Sequence, residues 1–122
     1  MSHEEYVSSC RERAAGIALA VLEGAMPLLE GCYALASLQP ELEVPERDPD
    51  FETFTVISSE CDSLPLGTAR SSWAPQALAK LEPEMQSAIA WATPLALPAC
   101  RSVVQRFGAN NSFKPNPLRG SA

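Results

Sequence analysis

Histidine is almost missing from this chain, with His3 the only one in 122 residues. A histidine-activated serine or cysteine nucleophile therefore has one candidate base, placed in the first turn of the chain where the backbone frays. Met1-Ser2-His3 has the spacing of a terminal copper or nickel site, but removal of Met1 ahead of the small Ser2 moves the imidazole out of position. Gly-x-Gly-x-x-Gly, a phosphate loop and His-Glu-x-x-His are all missing too. Long apolar runs are also lacking. The longest strongly apolar passage, Ile17 to Leu22, falls far short of the about 20 residues that cross a bilayer. The opening Met1-Ser2-His3-Glu4-Glu5 has no positive region and no apolar core, so no signal peptide is read and a cytoplasmic protein is expected.

Bases are scarce. Nine Lys and Arg face fifteen Asp and Glu, for a net charge of −6. Without a basic stripe to neutralise phosphates, direct nucleic-acid binding is disfavoured. Close cysteine pairs are missing as well. Cys10, Cys32, Cys61 and Cys100 lie 22, 29 and 39 residues apart, whereas a zinc site normally shows tighter ligand pairs. Four free thiols packed as small hydrophobes are expected in a reducing compartment.

What is present is acid, and it is concentrated. Glu41, Glu43, Glu46, Asp48, Asp50, Glu52, Glu60 and Asp62 stand against Arg47 alone, so this stretch carries −7. A field so localised steers a basic partner.

At 46% apolar residues, the chain fits one domain that buries roughly two-thirds of its unfolded surface. An all-α bundle of about four to five helices is expected over residues 1–108, with a flexible tail over 109–122. Val7, Cys10, Ala14, Ile17, Ala18 and Val21 recur at helical spacing and predict a helix from Glu4 to Leu22, ended or bent by Gly24 and Pro27. Leu28, Leu29, Cys32, Leu35 and Ala36 predict a second from about Met26 to Leu38, closed by Pro40. Residues 39–50, with three prolines among acids, read as an exposed loop. Asp48 before Pro49 is a helix start, placing Phe51, Phe54, Ile57, Ser58 and Cys61 inward. Phe54-Thr55-Val56-Ile57 also fits a strand, and the 3, 3, 4 spacing favours helix. Ser63-Leu64-Pro65-Leu66-Gly67 reads as a turn and Ser72-Trp73-Ala74-Pro75 as a helix entry. Pro94 and Pro98 predict a kink or break near Thr93–Pro98, before a last helix over Ala99–Phe107 that Gly108 and Asn110-Asn111 stop.

Carboxylates are the remaining candidates for chemistry. Glu60 with Asp62, or Asp48 with Asp50 and Glu52, have the donor type for a hard cation or an acid–base pair. Asp48-Pro49-Asp50-Phe51-Glu52 does not match a calcium loop, and a solvated loop with a helix cap is its ordinary reading. Arg70 and Trp73 are of the types that anchor interfaces. A tryptophan beside a helix entry is more often a core plug, and Trp91 reads as core.

The run Ile57-Ser58-Ser59-Glu60-Cys61-Asp62-Ser63-Leu64-Pro65-Leu66-Gly67, with Arg70, Trp73, Leu78, Ala99-Cys100-Arg101 and Phe107, resembles small uncharacterised bacterial proteins with a Ser-Glu-Thr-Asp-His-Leu-Pro type motif. Some of these look like immunity partners of polymorphic or type VI secreted toxins. Cys61 stands where the motif has threonine and Ser63 where it has histidine, so chemistry needing that histidine does not carry over. The resemblance implies an immunity protein that blocks a toxin domain, and the missing catalytic equipment adds the expectation that it is not an enzyme and holds no cofactor or metal. The expected partner has a basic surface and meets Glu41, Glu43, Glu46, Asp48, Asp50, Glu52, Glu60, Asp62, Arg70 and Trp73. Within the chain, Glu60 and Asp62 are expected to bond to Arg70 or the Trp73 segment. The alternatives are a divalent-metal hydrolase built on the carboxylates and a self-associating helical adaptor, for which a homodimer is expected.

Overall fold

The computed structural model describes residues 2–64 and 72–108. It is an all-α bundle of four helices: α1 (His3–Leu22), α2 (Leu28–Leu38), α3 (Pro49–Glu60) and α4 (Pro75–Phe107). Among the described residues there is no strand, so Phe54–Ile57 is helical. In the bundle α1 packs on α2 and α4, and α3 packs on α2 and α4. The predicted tail, Asn110-Asn111 and Pro65-Leu66-Gly67 lie outside the described residues.

Local chemistry sets most helix ends. Ser2 and Glu5 form a reciprocal capping box at the start of α1. At its other end Gly24, at φ 78°, lets the Ala25 amide reach the Ala20 carbonyl and the Gly24 amide reach Val21. That pattern closes a helix through a left-handed residue. Asp48 caps α3 as expected, accepting from the amides of Asp50 and Phe51 at 3.0 and 3.3 Å. Helix α2 begins at Leu28, two residues later than predicted, after Pro27 in extended backbone.

The core joins faces from every helix. Val7, Cys10, Ala14, Ala18 and Val21 are buried as the spacing predicts, while Ile17 is only half-buried. Phe51, Phe54 and Ile57 are fully buried, with the two phenyl rings edge to face at 5.4 Å. Ser58 is only half-buried. All four cysteines are buried free thiols. Ala14 and Ala18 of α1 and Ala92 and Ala96 of α4 are all fully buried, and such small side chains let two helices approach closely.

The expected break near Thr93–Pro98 does not occur, because α4 runs on through Pro83, Pro94 and Pro98 to Phe107. Each proline removes the amide that would bond four residues back, here to the carbonyls of Ala79, Ala90 and Pro94. All three of those residues are exposed, as are the prolines, so water can take the missing bonds. Thr93 adds its hydroxyl to the Ile89 carbonyl at 2.6 Å. The opposite face, with Ala92, Ala96, Ala99, Cys100 and Val103, stays buried without interruption.

Residues 39–48 are likewise not a free loop. A short 3-10 turn at Gln39–Glu41 leads to a fully buried Leu42, whose carbonyl accepts from Arg11 Nε at 2.9 Å.

Candidate interaction surface

The acids of the 41–62 stretch divide into two groups. Asp48, 4% exposed, is the one buried charged residue among those described. Both Arg106 terminal nitrogens meet it, at 3.0 and 2.6 Å, and Arg106 also donates to Asp50 at 2.9 Å. Ser102 donates to the same Asp50 oxygen at 2.6 Å. Burial opposes ionisation of Asp48, yet the Arg106 hydrogen bonds and the capped amides outweigh it and hold the carboxyl below its usual range. The guanidinium groups of Arg11 and Arg106 lie 5.3 and 4.9 Å from the Phe107 ring centroid, within cation–π reach.

Three further acids have exposed partners. Glu41 accepts from the Tyr6 hydroxyl at 2.8 Å, Glu43 pairs with His3, and Glu52 lies 3.3 Å from Arg47. Exposed contacts of this kind hold their groups weakly. Glu43 also adopts a left-handed backbone at φ 55°. Glu46, Glu60 and Asp62 are exposed, and among the described residues their carboxylates have no hydrogen-bond or ion-pair partner.

Glu60 stands at a cleft of ≈ 470 Å³ between the C-terminal end of α3 and the middle of α4. Leu64, Pro83, Ala88 and Trp91 give it apolar walls, and Glu84 stands with Glu60 as its second carboxylate. Among the described residues no lysine or arginine lines it. The last turn of α3 contains no basic residue, so the partial negative charge of the helix end adds to that of the carboxylates. A second cleft of ≈ 450 Å³ near Arg11, Arg106 and Phe107 mixes both signs of charge and offers a basic partner less.

The structure thus brings Glu60 of the predicted set to a cleft and leaves Asp62 exposed in the turn beside it. It separates Asp48 and Asp50 into an internal ion pair. Arg70 lies outside the described residues. Trp73 and Trp91 are 39% and 42% exposed, which corrects the reading of both as core. Glu84 is a cleft residue that sequence reasoning does not single out, and Trp91 is one that it places in the core. Their spacing of seven, two helical turns, is the available signal.

Among the described residues, no group of three or more His, Cys, Asp or Glu is arranged to hold a metal ion. No helix among them is long and apolar enough to cross a membrane. Compared with family models, curated proteins and solved structures, the chain finds no match.

Proposed function

We propose that this chain is a non-enzymatic, cytoplasmic binding protein of the immunity type, which covers a basic surface on a bacterial toxin domain and blocks it. The observation that carries the reading is the set of exposed carboxylates Glu46, Glu60 and Asp62, which are without a partner among the described residues. No base among the described residues neutralises their charge, which a partner can therefore meet. Glu41, Glu43 and Glu52 reinforce the field and can exchange their exposed contacts for a partner's bases. Asp48 and Asp50 act indirectly by fixing the base of the acidic segment. Arg70 and Trp73 complete the proposed contact set. The motif resemblance over residues 57–67 supports the toxin as the class of partner. The metal-hydrolase alternative finds no donor set among the described residues.

The test is co-expression with the product of the neighbouring reading frame, which the reading expects to be a toxin. Rescue of growth and a stoichiometric complex are expected. Glu46→Lys with Asp62→Lys should slow association roughly tenfold at low salt and flatten its salt dependence. Lack of both rescue and complex would overturn the reading.

A further inference from the structure

The cleft at the end of α3 differs from the rest of the acidic surface because it combines charge with apolar walls. We propose that it is the docking site for an arginine-bearing segment of the protein partner, in which an apolar side chain flanks the arginine. The proposal rests on the binding-protein reading above and adds a place and a chemistry to it.

Three features point to this occupant. Glu60 and Glu84 line the cleft, and none of the described residues lining it is a base. The end of α3 contributes further negative potential, since the carbonyls beyond Ile57 have no helical amides ahead of them and its last turn contains no basic residue. Beside these groups Trp91 is 42% exposed. An indole face next to carboxylates suits a guanidinium, which stacks on the ring while its nitrogens meet the oxygens. Leu64, Pro83 and Ala88 then form a wall for the flanking apolar group. A polyacidic or purely apolar occupant would leave Glu60 and Glu84 repelled or desolvated without partners.

Glu60, Glu84 and Trp91 are all exposed and lie outside the buried core, so their substitution is expected to leave the core packing in place.

The test is titration of the full chain with a short peptide of alternating arginine and leucine, followed by amide and indole NMR. Saturable shifts are expected at the Trp91 indole and at the amides of residues 84–91. Glu60→Gln with Glu84→Gln should weaken binding roughly three- to tenfold, as expected for two partly exposed charge pairs. Trp91→Ala should weaken it too, with Trp91→Phe keeping part of the affinity, whereas Glu23→Gln, at an exposed acid just past the end of α1, should leave it unchanged. Replacing the peptide's leucines with glycine should also weaken binding, and replacing its arginines with glutamate should abolish it. Shifts confined to residues 41–46, equal binding of the glutamate peptide, or no saturable binding would overturn the proposal. So would a Trp91 signal that moves with protein concentration alone, which would make a second copy the occupant. The two readings fail separately. A toxin complex indifferent to the cleft substitutions overturns the cleft and leaves the immunity reading standing. Peptide binding at Trp91 without protection from any toxin does the reverse.

Discussion

Arg106 and Asp48, 58 residues apart in sequence, meet through two hydrogen bonds of 2.6 and 3.0 Å that join the last turn of α4 to the first turn of α3. The same carboxylate caps α3, so one buried side chain serves both a helix start and a tertiary contact. Arg106→Leu removes the countercharge and leaves the acid buried. It should cost about 2 kcal/mol, below the full cost of breaking a deeply buried pair because the Arg106 side chain is 32% exposed. Asp48→Ala loses the cap as well and should cost more, about 3 kcal/mol. Urea titration of the two single variants and the double variant checks both figures. The double should be much less destabilised than the sum.

Acid should break the same contact. The Asp48 carboxyl is held below its ordinary value of 3.8 in the folded chain. The unfolded chain therefore takes up its proton first as pH falls. The stabilisation is complete above the unfolded value and is lost as pH drops through the lower folded one. Urea midpoints at neutral pH and at several points below pH 3.8 should show the gap between the natural chain and Asp48→Asn closing in acid. A gap independent of pH would mean that capping geometry, not charge, carries the contact.

These contacts also mark where sequence reading stops. Helical spacing locates α1 and α3 closely, and the Asp48-Pro49 pair locates the start of α3, because caps and amphipathic faces are local chemistry. The fate of the acids is not local. Whether Asp48 faces a partner or Arg106 depends on how α4 crosses α3, and nothing within a helix turn of either residue records it. The prolines of α4 defeat the expected break for a related reason. The cost of Pro94 and Pro98 depends on whether the freed carbonyls face water, and here they belong to exposed residues while the other face stays packed. Leu42 and Val44, alternating with acids, are a visible sign that the loop is anchored. The open Trp91 is hidden because tryptophan's size makes burial the default expectation.

Gly31 tests the packing of α2 on α1. A Cβ there would collide with Val21 Cγ2, although alanine is the better helix former by about 1 kcal/mol. Overpacking of roughly 1–3 kcal/mol should win, leaving Gly31→Ala less stable by about 1 kcal/mol. Val21→Ala removes the colliding methyl groups. Thermal or urea unfolding of the double variant should reveal a favourable coupling between the two changes.

The buried thiols give the opposite pH dependence from Asp48. Burial pushes Cys32 up to about 12 and Cys100 up to about 11, from an ordinary value of 9.0. As pH rises past that value the unfolded chain loses these protons while the folded chain keeps them, so ionisation favours unfolding. The stabilisation is full below pH 9.0 and erodes above it. By about pH 10 the loss should be about 1 kcal/mol for each of the two thiols. Urea midpoints at about pH 8 and about pH 10 measure it, and Cys32→Ala and Cys100→Ala should each make the fall shallower. In the native state near neutral pH the thiols should react slowly with a disulfide reagent, since they are both covered and protonated. Rapid labelling of the folded chain would contradict the packing assigned to them.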